Sequence, residues 1–278
     1  MRKIEIVAEK NDRLLKVLEK QCSNIEYFAF AKALRQKDIL VDGIRIKENI
    51  VVPAGSKITC YVLDDAFKKD MFNIIYEDNN IILINKSSGI ETCDGNYNIL
   101  TELNKLGKEA FAVHRLDRNT LGLVIFAKTP DVQKILINEF KLGNVAKYYY
   151  AEVCGNPSKK ATLTGYLVKN KDESNVMIYS KKMPNSEKII TEYQVKKQNG
   201  NTALLIVKIK DGKTHQIRAH LAYNKLYIIG DGKYGKNEIN AKFKAKTQHL
   251  KAFKIEFSIK DENLKYLNNL KFELDDRF

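Results

Sequence analysis

Apolar residues recur along this chain in two rhythms, every second position in some stretches and every third or fourth in others, and the alternation predicts the order of elements. Lys3 to Val7 alternates and reads as a short strand. Leu14, Leu15 and Leu18 then fall on one helical face with Asp12 as the candidate cap, and a second helix is expected from about Glu26 to Gln36. Asp42-Gly43 between ILV and IRI is a two-residue hairpin signal, and Lys57 to Val62 alternates again. The run DDAFKKDM, Asp64 to Met71, is charged and weakly periodic, so it reads as a linker. The expected organisation is a small N-terminal domain over 1–62, a linker over 63–72 and a larger domain over 73–278.

Strands dominate the larger domain. Asn73 to Tyr76, Ile81 to Asn85, Leu121 to Ala127, Tyr148 to Val153 and Ala203 to Ile209 are apolar runs of strand length. Between them, Thr129-Pro130 supplies a cap and a first-turn proline for a helix bearing Val132, Ile135, Leu136 and Phe140, which should end near Gly143. The polar stretch Lys169 to Lys188 is expected to form a mobile hairpin or loop over a cleft. The pattern is α+β, without internal repeats or low-complexity tracts.

Charge changes this picture by naming a class of partner. The chain has 278 residues with 48 Lys+Arg against 34 Asp+Glu, a net charge of +14, and such an excess favours polyanions. Eight lysines and two acids lie between Lys225 and Lys254, which reads as a phosphate-tracking strip or as a solvated face. Cys22, Cys60, Cys93 and Cys154 are scattered with no CxxC pair, against a disulfide framework or a structural zinc site. No apolar run approaches the ~20 residues that span a bilayer. The charged start MRKIEIVAEKNDR is unlike a secretory signal, so a cytosolic protein is expected. A GxxxxGK[ST] loop is absent, which argues against a nucleotide hydrolase.

Candidate chemistry concentrates in His114 to Lys128, HRLDRNTLGLVIFAK. Only Asp117 there can act as a nucleophile or general base, and Arg115 and Arg118 beside it are expected to favour the carboxylate. Taken alone, the segment also fits a surface ion pair at a strand end. His114, His215 and His220 suggest a metal site, but residues five apart on a helix point about 140° away from each other, unlike ligands at i and i+4. No metal is expected.

The segment around Asp117 resembles the signature of the RluA-type (RluC/RluD-like) pseudouridine synthases, and three further blocks follow the same family order. Asn85 to Ile90, NKSSGI, resembles a lysine-containing strand and turn. Lys147 to Gly155, KYYYAEVCG, resembles the strand whose lysine-any-tyrosine step places the active-site tyrosine at Tyr149. Gly212 to His220, GKTHQIRAH, followed by IIGDGKYG, resembles the block whose arginine falls on Arg218. Ser87, Leu121, Lys225 and Tyr227 depart from the usual proline, serine, glycine and proline. ALRQKDILVDGIRIKENIVVPAGSKI resembles the alpha-L RNA-binding motif, which makes Arg35, Lys37, Arg45 and Lys47 candidate phosphate contacts.

The resemblance implies a mixed, mostly antiparallel catalytic sheet with flanking helices, joined to a small N-terminal α/β RNA-binding domain. It implies isomerisation of uridine in RNA to pseudouridine, with Asp117, Tyr149 and Arg218 catalytic and Arg115, Arg118, Lys147, Lys213 and His215 in contact with RNA. Asp117 attacks the uracil ring or the anomeric carbon, or takes a ribose proton, and the sequence leaves these routes open. A stacked uridine must be extruded first, and Tyr149 suits a pocket that replaces the lost stacking. Arg218 sits on an expected helix with Ile217 and Leu221 on the packed face, where its guanidinium can pair with Asp117. No cofactor is implied. Ribosomal RNA is the expected substrate over transfer RNA, the expected state is a monomer, and the main rival is a catalytically idle RNA-binding or assembly factor on the same fold.

Overall fold

The computed structural model describes the chain apart from residues 23–24, 64–65, 67–69, 96–97, 170–174 and 246. It divides into two compact units, Met1–Asp70 and Met71–Phe278. Of the linker expected over 63–72, residues 64–65 and 67–69 lie outside the described residues, while Ala66 packs into the first core and Met71 into the second.

In the first unit, β1 (Arg2–Val7), β2 (Asp12–Arg13), α1 (Leu14–Gln21), α2 (Tyr27–Gln36), β3 (Ile39–Val41), β4 (Ile44–Arg45), β5 (Val51–Val52) and β6 (Lys57–Val62) follow one another. β1, β6, β3 and β4 form an antiparallel sheet in that order. Leu14, Leu18, Phe30, Ile39 and Ile58 are fully buried where the two helices meet it. The turn Asp42-Gly43 has φ of 48° and 82°, the doubly left-handed backbone that a two-residue hairpin requires. Asp12 does not cap α1. Its backbone is held extended by pairing with Val52, and its carboxylate accepts from the adjacent Arg13 amide at 2.9 Å. The free amide of Leu15 is satisfied instead by Asn49 Oδ1 at 2.9 Å, a partner 34 positions away.

The second unit contains β7 (Phe72–Glu77), β8 (Ile81–Lys86), α3 (Ile99–Lys105), β9 (Phe111–Ala112), β10 (Leu121–Ala127), α4 (Pro130–Lys141), β11 (Val145–Cys154), β12 (Lys160–Lys169), β13 (Val176–Tyr179), β14 (Glu187–Asn199), β15 (Thr202–Ile209), α5 (Gln216–Tyr223), β16 (Tyr227–Ile228), α6 (Asn237–Lys242), β17 (Leu250–Phe257) and β18 (Phe272–Glu273). Its main sheet runs β13-β12-β14-β15-β11-β17-β10-β8-β7, antiparallel except between β10 and β17. Gly122 makes that exception possible: its φ is 109°, and a Cβ there would stand 2.0 Å from the Ala252 carbonyl oxygen.

Burial explains why β10 reads as an unbroken apolar run. Val124 and Phe126 face one core with Ile99 and Leu103 of α3 and Ile217 and Leu221 of α5. Leu123 and Ile125 face another with Val132 and Leu136 of α4 and with Phe257 and Leu264. Thr129 caps α4, its hydroxyl accepting from the Val132 amide at 3.2 Å. β11 is sorted by side-chain alternation: Tyr149 turns into the core that holds Val124 and Phe126, while Tyr150 stacks on Phe253 at 3.7 Å between ring centroids.

The stretch 169–188 contains more order than its polarity suggests. β13 pairs with Tyr166–Lys169 of β12, and Val176 and Ile178 pack with Leu167, Ile189 and Ala219. Two inward residues are too short a pattern to stand out among charged neighbours. Residues 170–174 of the expected loop lie outside the described residues. Lys225, where the family pattern has glycine, adopts a φ of 59°, the backbone that glycine would enter without strain.

Candidate active site

Asp117 lies in the turn between β9 and β10, and the segment 86–92 clamps that turn. The Thr92 hydroxyl accepts from the Leu116 amide and donates to the Leu116 carbonyl, both at 3.2 Å. Gly89 N–H and Lys86 Nζ both reach the Arg118 carbonyl at 2.9 Å, and Ser88 Oγ donates to the Asn119 carbonyl at 3.1 Å. Lys86 is buried and donates further to the carbonyls of Ser87 at 2.9 Å and Ile90 at 2.8 Å. Burial pushes its amine down to about 7, with Glu91 and Asp117 opposing. Three carbonyl acceptors match the three N–H bonds of an ammonium and exceed the two of a neutral amine, so the geometry fits the cation.

The arginines beside Asp117 in sequence do not pair with it. Arg115 is exposed and turns to Asp94 and Glu91, and Arg118 donates from Nε to the Gly89 carbonyl at 3.0 Å. Neighbours on a tight turn leave the chain in different directions, so adjacency there does not mean contact. The cation on Asp117 is Arg218, whose Nη1 donates to Oδ2 at 2.9 Å.

Arg218 is buried, because every residue of α5 from Gln216 to Leu221 is covered and not only the Ile217 and Leu221 face, and its remaining donors go to Asp231. Nε reaches Asp231 Oδ2 at 2.7 Å and Nη2 reaches Oδ1 at 2.9 Å, a two-pronged pair that fixes the plane of the guanidinium. Asp231 is 1% exposed and also accepts from the amides of Lys233 at 2.8 Å and Tyr234 at 3.0 Å. Burial alone would raise its carboxyl, and the bonds and charge of Arg218 more than offset that and hold it low. Burial likewise opposes the charge on Arg218, and the two carboxylates hold its pKa up.

Asp117, Tyr149, Arg218, Arg115, Lys147, Lys213 and His215 line one cleft. Tyr149 is 5% exposed, and burial followed by the charge of Asp117 pushes its phenol up, so the hydroxyl keeps its proton. Lys147 is buried with its amine 5.1 Å over the Phe140 ring. A Cβ on Gly212 would lie 2.6 Å from Lys147 Nζ, so the glycine leaves room for it. Burial lowers that amine to about 8, with Asp211 opposing. Lys213 pairs with Glu187, and His215 Nε2 lies 4.0 Å from Asp117 Oδ2. His114 accepts from the Ile125 amide at 3.1 Å, His220 meets Thr191 Oγ1 at 3.0 Å, and among the described residues no cluster could hold a metal.

Residues 80–223 match the family model described as RNA pseudouridylate synthase. The chain is 30% identical to an uncharacterized RNA pseudouridine synthase of Mycoplasma capricolum over 95% of each protein. It is 31% identical to ribosomal large subunit pseudouridine synthase C of Rickettsia conorii over 85% of this chain and 86% of that one. The chain belongs to the RNA pseudouridylate synthase family. In structure it matches the human RNA pseudouridylate synthase domain containing 4 with a TM-score of 0.61 at 23% identity, over 73% of this chain and 88% of that one, which shows a shared fold.

This pseudouridine synthase has residues in and behind its cleft that local sequence pattern does not single out. Asp231 sits in the IIGDGKYG block, where surrounding lysines hide it as one acid in a basic strip. Tyr234 lies with its ring 5.3 Å from the Arg218 guanidinium carbon. The strip itself is divided: Lys233, Lys236, Lys242 and Lys244 are exposed, whereas Lys251 is buried against Asp275 at 3.0 Å. Arg35, Lys37, Arg45 and Lys47 are all exposed on the first unit. Among the described residues no helix is long and apolar enough to cross a membrane.

Proposed function

We propose that Asp117 is the reacting carboxylate of an enzyme that converts uridines of large-subunit ribosomal RNA to pseudouridine, acting as a cytosolic monomer without metal or cofactor. One observation carries the assignment. Arg218, its plane fixed by Asp231, places its remaining amine 2.9 Å from Asp117 in the cleft that also holds Tyr149. The carboxylate is thereby aimed, and the protonated Tyr149 ring offers an apolar face and a donor to an extruded uracil. The isomerisation conserves every atom and the oxidation state, so it requires no redox partner. Names of relatives such as that of Rickettsia conorii support the ribosomal substrate. The exposed cations of Met1–Asp70 support a role for that unit in holding RNA.

The test is Asp117→Asn, which removes the charge with little change in volume. Tritium release from RNA carrying uridine labelled at carbon 5 should fall by at least about a thousandfold, at the upper part of the range for loss of a catalytic acid or base. RNA affinity should stay within about twofold, because phosphate contacts dominate it. Undiminished release overturns the assignment. Wild-type activity should survive EDTA, and a loss that divalent metal restores would overturn the metal-free reading.

A further inference from the structure

His215 enters the cleft from an unusual backbone, with a φ of 52° in the left-handed region immediately before α5. Its ring is held by Tyr234, whose hydroxyl lies 3.0 Å from Nδ1. The same hydroxyl lies 2.9 Å from the backbone N–H of Val176, a group that only donates. The amide therefore occupies a lone pair of the phenol oxygen and leaves the phenol proton to donate to Nδ1. In the reverse arrangement the phenol would accept twice, and its own proton would have no acceptor among the described residues. A neutral imidazole that accepts at Nδ1 carries its proton on Nε2.

That Nε2 faces Asp117 Oδ2 at 4.0 Å, the oxygen that Arg218 also holds. We propose that His215 is a positioning residue for Asp117, working as a neutral Nε2–H imidazole whose tautomer is set from the Val176 amide through the Tyr234 hydroxyl. Burial holds the ring below its ordinary value, with Arg218 and Lys233 adding to the effect and Asp117 and Asp231 opposing it. A second cation beside Asp117 would compete with Arg218 for the same oxygen. Val176 is itself fixed, 5% exposed in a small apolar cluster with Leu167, Ile178, Ile189 and Ala219, against which Tyr234 packs. The edge strand β13 thus sets a proton position in the cleft.

The inference rests on reading Asp117 as the reacting carboxylate, and the spectrum of the free enzyme tests it independently of turnover. In nitrogen-15 histidine spectra near neutral pH, His215 should show a protonated Nε2 and a bare Nδ1, and Tyr234→Phe should move both shifts toward a tautomer mixture. A protonated Nδ1 in the wild type overturns the proposal, as does a spectrum unmoved by Tyr234→Phe. Substitution adds a second readout. Glutamine can place an amide donor near the Nε2 position, whereas asparagine reaches only the Nδ1 position yet suits a left-handed backbone better. Turnover should therefore be better in His215→Gln than in His215→Asn by about tenfold, the order of a positioning loss, with KM little changed. The opposite order would mean that only the backbone matters and would overturn the donor role. If Asp117→Asn stays active while the tautomer is as stated, the reading of Asp117 fails and the hydrogen-bond chain stands.

Discussion

Arg45 and Arg218 both direct a guanidinium at oxygen, yet they are held in opposite ways. Arg45, on the exposed hairpin of the first unit, donates to a single backbone carbonyl, that of Lys37, at 3.0 Å. Arg218 is buried and divides its donors between two carboxylates, with its plane fixed by one so that it can act on the other. A loosely held cation can follow a phosphate wherever the RNA backbone runs, and releasing that phosphate costs it little. A cation fixed by a second carboxylate cannot follow anything, but it holds Asp117 in one place, which the chemical step needs.

The largest break in this contrast is expected from Asp231→Asn. The substitution leaves a buried guanidinium with one charged partner, which should destabilise the protein by about 3 kcal/mol, the order found when one member of a buried pair is removed. Turnover should fall by about a hundredfold as Arg218 loses its plane and Asp117 its aim. Thermal unfolding and tritium release measure the two effects. The sign of the pH dependence is fixed by the lowered carboxyl of Asp231: its contribution is fully present above the ordinary value of 3.8 and is lost as the pH falls through its folded value. The variant should lack that component of the acid-unfolding curve. Wild-type turnover in Asp231→Asn would show that Arg218 needs no second carboxylate.

A smaller effect is expected from Lys86→Met, which fills the same space without donors. Three carbonyls lose their shared ammonium, while the turn carrying Asp117 keeps its backbone and hydroxyl bonds and those of Arg118 and Arg218. Stability should fall by about 2 kcal/mol, the order of leaving buried acceptors unsatisfied. Turnover should fall less than in Asp231→Asn, because Gly89, Ser88 and Thr92 still hold the turn. Unchanged thermal stability would mean that water satisfies those carbonyls and that the clamp is redundant.

These two residues also mark where the sequence stops being legible. The pairing of Arg218 with Asp117 can be anticipated only through the family block that singles out this arginine, because periodicity alone, with Ile217 and Leu221 on the packed face, leaves it a surface residue. Tyr149 can be chosen over Tyr148 and Tyr150 once register in the family block is fixed. The long apolar run of β10 announces burial on both faces. Asp231 is hidden because its partner lies 13 positions away, on an element that ends before the loop carrying it begins. The flanking arginines mislead for the complementary reason, since closeness along a turn says little about where side chains point. Asn49 replaces Asp12 at the start of α1 by the same logic, a tertiary partner taking a bond that local pattern assigns to a neighbour.

The smallest effect, and the one that sharpens the comparison from the other side, is expected from the combined Arg35→Ala, Arg45→Ala and Lys47→Ala substitutions. All three side chains are exposed, and among the described residues only the Arg45 bond to the Lys37 carbonyl disappears, so melting should shift little. If these cations track phosphates, RNA affinity falls by a few-fold and the slope of log affinity against log salt becomes shallower by roughly 0.7 to 0.9 for each phosphate no longer neutralised. Turnover at saturating RNA stays the same, because nothing in the cleft has moved. A reduced saturating rate with an unchanged salt slope would mean that the first unit orients the uridine for chemistry and does not merely hold RNA. The exposed arginine would then belong with Arg218 in function despite its looser fixing, and the division between holding and aiming would no longer follow burial.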